Sequence, residues 1–155
     1  MSSAQYHVDV QVAAELEDAS AGDVREAALA VLRHQNVQAP AELSILLTDS
    51  ESVRQLNRTY RERDEATDVL SFPSGEMMPG AEHYLGDVAI AIPVARAQAA
   101  RSGHELQAEL ALLTIHGILH LLGYDHAIPD EKEQMWQVQE EVLSQLGLHV
   151  IPTEE

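Results

Sequence analysis

Residues 104–123, HELQAELALLTIHGILHLLG, constrain the fold of this chain more than any other segment. Their apolar side chains fall on nearly every side of a helix instead of along one stripe, and such a helix is normally buried in the centre of a domain. These side chains are Leu110, Leu112, Leu113, Ile115, Ile118, Leu119, Leu121 and Leu122. Gly123 predicts the end of the helix, because glycine readily adopts the left-handed conformation found there. The rest of the chain must therefore cover this helix.

The remaining hydrophobic pattern predicts four strands and four further helices. The strands are predicted over residues 6–12, 41–48, 67–73 and 84–92, and the helices over residues 18–36, 49–61, 93–103 and about 129–146. This order, β-α-β-α-β-β-α-α-α, predicts an α+β or three-layer fold in which helices cover a small mixed β-sheet. With 155 residues, of which 45% are hydrophobic, the chain 1–155 is expected to form a single domain with a proper core.

Two histidines lie on the predicted buried helix, four residues apart. His116 and His120 therefore share one face, and the turn expected at Gly123 can bring His126 to the same point. Buried imidazoles need partners, which could be backbone groups of the core or one shared metal ion. Three protein ligands leave a fourth position for water, which is the arrangement of catalytic zinc sites. The chain has no cysteine, and an all-imidazole set favours zinc over nickel, copper or iron.

The spacing H-x-x-x-H-x-x-G-x-x-H is typical of zinc peptidases, but one functional group of those enzymes is missing. Gly117 stands where they carry the glutamate that acts as general base. A zinc ion held by neutral imidazoles keeps its full positive charge, and its bound water can have a pKa of about 7. Such a site suits an anionic substrate better than a neutral peptide.

The overall charge of the chain opposes a nucleic-acid partner. Nine basic against 26 acidic side chains give a net charge of −17, which repels nucleic acid at long range. The basic residues are unevenly spread, with four of the nine close together: Arg54, Arg58, Arg61 and Arg63. The first three share one face of the helix predicted there. The ordinary interpretation is a solvated face paired with nearby acids such as Glu62 and Asp64.

The N-terminal segment gives no sign of export. No basic region precedes an apolar run in the first 20 residues, so they do not form a secretory signal. No apolar stretch approaches the roughly 20 residues that a membrane span needs. The chain is expected to be soluble and cytoplasmic, without a membrane partner.

Three sequence blocks resemble the YbeY family of bacterial endoribonucleases that mature ribosomal RNA. HGILHLLGYDH, residues 116–126, is similar to the family signature H-G-x-L-H-L-x-G-Y-D-H. LNRTYRERDEATDVLSFP, residues 56–73, resembles a second block, N-x-x-Y-R-x-x-D-x-x-T-D-V-L-S-F-P. YLGDVAIAI, residues 84–92, resembles a third, L-G-D-[IV]-x-I. The blocks stand in family order and span slightly under half of the chain.

The resemblance implies a fold, a site and an activity. The implied fold is α+β, with a distant likeness to zinc peptidases. His116, His120 and His126 are implied to bind one catalytic zinc ion, and Arg61 is implied to act with His116 as a catalytic residue facing the cleft. The implied activity is that of a single-strand-specific, zinc-dependent endoribonuclease in 16S rRNA 3′-end maturation and ribosome quality control. The implied partners are rRNA, the small ribosomal subunit and ribosome-associated proteins, and not DNA.

Other interpretations remain open from the sequence. The chain could instead be a ribosome-assembly factor with a largely structural metal and weak or partner-dependent nuclease activity, and a zinc peptidase is a remote alternative. The strand over residues 67–73 could form one wall of the cleft, with Thr67, Asp68 and Ser71 either facing the substrate or packing within the strand. Asp125 could orient a ligating imidazole or serve the turn in which it lies.

Overall fold

The computed structural model of the protein describes residues 6–13, 21–63, 67–74, 83–125 and 127–148. The strands in these ranges are β1 (Tyr6–Val12), β2 (Ala41–Thr48), β3 (Val69–Pro73) and β4 (Tyr84–Ala91). The helices are α1 (Ala21–His34), α2 (Ser50–Arg61), α3 (Ile92–Ser102), α4 (Leu106–Leu121) and α5 (Pro129–Gln145). None of these helices is long and apolar enough to cross a membrane.

The strands form one mixed sheet in the order β1-β2-β4-β3. β1 runs parallel to β2, and β2 runs parallel to β4, whereas β3 is antiparallel to β4. Parallel neighbours need a crossover connection, and α1 and α2 lie in the two segments that connect them. The predicted α+β fold with a small mixed sheet is confirmed.

Helices cover both faces of the sheet. Side chains alternate between the two faces along a strand, so Val88 and Ile90 of β4 belong to the large core formed with α1, α4 and α5. Ala89 of the same strand belongs to a smaller cluster with Val53 of α2. α4 has ten of its 16 residues buried and contacts α1, α3, α5, β3 and β4. The helix predicted to be central from its apolar pattern therefore lies at the centre of the large core.

The observed elements differ from the predicted ones mainly at their ends. α1 begins at Ala21, and residues 14–20, which include the start of the predicted helix, lie outside the described residues. Ile92, expected at the end of a strand, is the first residue of α3. Pro93 fits there because the first turn of a helix needs no N–H donor.

α4 touches the sheet directly at Gly117. A Cβ atom at this position would lie 2.8 Å from Val88 Cγ1, 3.2 Å from Ser71 Oγ and 3.3 Å from Val69 Cγ2. The Ser71 hydroxyl donates a hydrogen bond of 2.8 Å to the Gly117 carbonyl oxygen. Glycine therefore lets the helix backbone approach β3 and β4 closely, and any side chain here, including the glutamate of zinc peptidases, would require these neighbours to shift.

Gly117→Ala is expected to lower the free energy of unfolding by about 1–3 kcal/mol, because an added methyl group overpacks this contact. The matched control is Gly22→Ala: Gly22 lies in α1, and a Cβ atom there would meet nothing within 4 Å. The control should be neutral or stabilising, since alanine is favoured over glycine in helices by up to about 1 kcal/mol. Urea unfolding measures both changes, and equal stability of the two variants would contradict the close contact.

Candidate functional site

A cleft of about 870 Å³ is lined by residues from the end of α2, from β3 and from α3, α4 and α5. Three of the nine basic side chains of the chain line it: Arg61, Arg101 and Lys132. Three histidines also line it: His104, His116 and His120. Two acids, Asp68 and Glu109, complete the charged lining. A third of the basic residues of a strongly acidic chain therefore lie at one concave site.

His116 and His120 line this cleft with their Nε2 atoms turned toward each other. The two Nε2 atoms are 3.1 Å apart, the ring centroids are 4.7 Å apart, and the ring planes are inclined by 78°. Residues four apart on an α-helix differ by only about 40° in direction, so both rings reach the same point. The structure brings these two predicted ligands together.

The other ring nitrogen of each histidine faces a hydrogen-bond acceptor. His120 Nδ1 lies 2.9 Å from the backbone carbonyl of Tyr124, and His116 Nδ1 lies 2.9 Å from Gln139 Oε1. A carbonyl oxygen only accepts, so we assign a hydrogen to Nδ1 of each ring. The two Nε2 atoms then face each other across the space between the rings.

The turn after α4 positions the carbonyl that holds His120. α4 ends at Leu121, and Gly123 adopts a φ of +108°, a conformation that favours glycine. The Gly123 N–H donates to the His120 carbonyl, and the Tyr124 N–H donates to the Leu119 carbonyl. The reversal predicted from Gly123 therefore folds the chain back over the last turn of the helix.

The two Nε2 atoms fit a bound transition-metal ion. Two Zn–N bonds of about 2.0–2.1 Å at a tetrahedral angle place the nitrogens about 3.3 Å apart, close to the observed 3.1 Å. His126, the third predicted ligand, lies outside the described residues. Within the described part of the chain, which lacks this residue, no group of three or more His, Cys, Asp and Glu side chains could hold a metal ion. The described residues therefore supply two of the three predicted ligands.

Arg61 ends helix α2 and lines the same cleft. Its guanidinium donates a hydrogen bond to the Ser71 carbonyl of β3 and lies 5.6 Å from the centre of the Phe72 ring. Arg54, from the same arginine stripe, instead forms a surface ion pair with Glu51 at 3.4 Å. Arg54 therefore belongs to an ordinary ion pair on the helix surface, whereas Arg61 is hydrogen-bonded to the wall of the cleft.

β3 and the residues before it carry the three polar side chains predicted for the cleft wall. Thr67, Asp68 and Ser71 all line the cleft. The Ser71 hydroxyl is used in the contact with Gly117, so this side chain serves packing between the strand and α4. The Thr67 hydroxyl lies 3.5 Å from Asp68 Oδ1, which leaves these two residues as the polar groups of the wall.

Asp125 forms two hydrogen bonds near the turn that follows α4. The Asp125 carboxylate accepts a hydrogen bond of 2.9 Å from the Ala127 N–H, and the Asp125 N–H donates to Glu131 Oε1 at 2.7 Å. Asp125 therefore serves the turn in which it lies. Asp64, expected to pair with the arginine stripe, lies outside the described residues.

A buried acid–base pair at the cleft was not expected from the sequence. His104 Nε2 and Glu109 Oε1 are 2.6 Å apart, and their side chains are only 7% and 6% exposed. Burial raises the pKa of Glu109, although the hydrogen bond and charge of His104 oppose this rise. His104 precedes α4 and Glu109 lies in its first turn, so no helical spacing connects the two. The pair connects the segment before α4 to the first turn of that helix, and both side chains line the cleft.

Gln139 is a second residue that the sequence interpretation missed. It is buried on the face of α5 that also carries Met135, Val138 and Val142, and its side chain reaches His116. A buried glutamine in an otherwise apolar stripe needs a hydrogen-bond partner. A polar residue in this apolar stripe was the feature of the sequence that could have indicated a buried hydrogen bond at position 139.

The chain is similar to known proteins in both sequence and fold. The sequence profile of the family described as Endoribonuclease YbeY matches residues 7–147. A Roseiflexus castenholzii protein named Endoribonuclease YbeY is 44% identical over 155 residues, covering 96% of this chain and 98% of the relative. A Bacillus cereus protein of the same name is 40% identical over 142 residues, covering 86% of this chain and 91% of the relative. The solution structure of a Thermotoga maritima protein shares the fold, with a TM-score of 0.59 and 22% identity over 90% of this chain and 91% of that one.

Proposed function

Because the chain belongs to the endoribonuclease YbeY family, we propose that it is a zinc-dependent endoribonuclease that cleaves single-stranded RNA. The observation that carries this proposal is the pair of Nε2 atoms, 3.1 Å apart, in a cleft that also contains Arg61. A metal ion held by neutral imidazoles near a guanidinium makes a positive site that suits a phosphodiester.

We further propose ribosomal RNA as the substrate, in the cytoplasm. The three sequence blocks that resemble the rRNA-maturation family support this assignment. The cellular roles would be maturation of the 16S rRNA 3′ end and ribosome quality control. The expected partners are the small ribosomal subunit and ribosome-associated proteins.

His116 and His120 would hold the zinc ion, with His126 as the third ligand implied by the sequence motif. Gln139 and the Tyr124 carbonyl accept hydrogen bonds from the Nδ1–H groups of the two described rings. Such outer contacts fix the tautomer and the orientation of ligating histidines. A zinc ion held there would polarise a phosphoryl oxygen and lower the pKa of a bound water.

Arg61 would bind the scissile phosphate. A guanidinium presents its N–H donors in a plane and can contact two phosphate oxygens at once. The hydrogen bond to the Ser71 carbonyl and the contact with the Phe72 ring restrain this plane. The group is therefore positioned before the substrate arrives, which is the condition for effective electrostatic stabilisation of a transition state.

His120→Ala is expected to reduce cleavage of a single-stranded RNA oligonucleotide by at least about 100-fold, because it removes a metal ligand. The matched control is His34→Ala, since His34 pairs with Glu141 at 2.7 Å and is not among the residues that line the cleft. Both variants are purified in parallel with the wild type and checked for equal thermal unfolding. The control should cleave at the wild-type rate.

Equal cleavage by His120→Ala and wild type would assign the activity to a contaminant. The ribosome-assembly alternative, with a largely structural metal, would then be favoured, and the folded variant should still bind ribosomes. A peptidase function has little support, because Gly117 stands in place of the glutamate base and a side chain there would require the sheet contact to shift.

Arg61→Lys is expected to lower kcat by about 10²–10³-fold and to leave the zinc content unchanged. The physical reason is that an ammonium group cannot contact two phosphate oxygens in a fixed plane. Arg54→Lys is the control, because Arg54 lies on the same helix and pairs with Glu51; its kcat should match the wild type. Full activity of Arg61→Lys would show that positive charge alone is sufficient and that the planar contact is not used.

A further inference from the structure

Trp136, the only tryptophan of the chain, lines the cleft that contains the histidine pair. It lies on α5 three residues before Gln139, whose side chain contacts His116 Nδ1 at 2.9 Å. Three residues of α-helix rise about 4.5 Å, so Trp136 is one turn from the residue that orients the first predicted ligand. Lys132, one further turn back along α5, lines the same cleft.

The indole of Trp136 is not part of the hydrophobic core formed by the described residues. α5 enters that core through other side chains: Met135, Val138, Val142 and Leu143. Trp136 is half-buried and belongs to neither of the two hydrophobic clusters of the described residues. Within the same ranges its ring contacts no other aromatic ring. A large aromatic side chain that lines a cleft offers a flat surface to a ligand.

We propose that Trp136 stacks an unpaired nucleobase beside the scissile phosphate, while Lys132 contacts the adjoining backbone phosphate of single-stranded RNA. This inference rests on the proposed function and specifies how its substrate is bound. A base lies flat on an aromatic side chain only when it has left the duplex. The subsite therefore gives a physical reason for a preference for single strands.

Stacking also explains how a chain with a net charge of −17 can hold RNA. Affinity that depends on counterion release needs many cationic contacts with phosphates. Among the described residues, only three arginines and lysines line the cleft: Arg61, Arg101 and Lys132. Stacking on one aromatic side chain contributes about 5- to 150-fold in affinity per base, and it does not require a net positive surface.

The fluorescence of Trp136 reports on this subsite directly, because the chain has no other tryptophan. Adding a short single-stranded RNA to the zinc-loaded wild type should quench the emission, and the same strand annealed to its complement should quench it much less.

Trp136→Ala should raise KM for the single strand by about 5- to 150-fold with little change in kcat. Trp136→Phe, which keeps an aromatic face, should raise KM for the single strand less than Trp136→Ala does. Gln137→Ala, at the exposed neighbouring position, should behave as wild type.

Lys132→Gln separates the phosphate contact from the stacking contact. Loss of one phosphate contact should reduce the slope of log affinity against log salt by about 0.7, whereas Trp136→Ala should leave this slope unchanged. Unquenched emission at RNA concentrations that saturate cleavage, or an unchanged KM for Trp136→Ala, would overturn the stacking subsite and leave the endoribonuclease proposal intact. A wild-type protein that neither binds nor cleaves RNA would overturn both.

Discussion

The contact between α4 and the sheet at Gly117 determines where the groups of the cleft lie. His116 and His120 are turned by about 60–100° around the helix from Gly117, so they face the cleft beside the sheet. Ser71 connects this contact to Arg61, because the Ser71 hydroxyl donates to the Gly117 carbonyl and the Ser71 carbonyl accepts from the Arg61 guanidinium. One residue of an edge strand therefore positions the predicted metal ligands and the predicted phosphate-binding arginine relative to each other.

The same contact determines the chemistry of the site. Zinc peptidases place their glutamate base directly after the first histidine, and here Val69 and Val88 close that position. The site is left with the two imidazoles and with Arg61 attached to the adjacent wall, and we propose that a zinc ion bound there would favour an anionic substrate. The acidic remainder of the chain repels nucleic acid at long range. RNA binding would then depend on contacts inside the cleft, including the neutral face of Trp136.

The parts of the site that depend on neighbours along the chain could be predicted from the sequence. The burial of α4, the turn at Gly123 and the meeting of His116 with His120 all follow from one helix and the residues that end it. Arg61 is different, because its own stripe favoured a solvated surface and only the family resemblance placed it at the cleft.

Contacts between distant segments could not be predicted in this way. Gln139 lies 23 residues from His116 along the chain, and its role depends on how α5 packs against α4. The His104–Glu109 pair joins the segment before α4 to the first turn of that helix. Helical periodicity does not extend to the segment before the helix, so it could not predict this contact. The sequence revealed that the peptidase glutamate is replaced by Gly117, but the reason, a direct contact between helix backbone and sheet, required the tertiary structure.

We propose that one zinc ion bound at the His116–His120 pair makes the cleft a nuclease centre. The most direct measurement is a titration of zinc into chelator-stripped wild-type protein, with bound zinc and RNA cleavage determined in the same samples. Cleavage should rise in proportion to bound zinc and saturate at one ion per chain, and His116→Ala should lose both stoichiometric binding and cleavage. Cleavage that persists without bound zinc, or full zinc occupancy without cleavage, would contradict the claim.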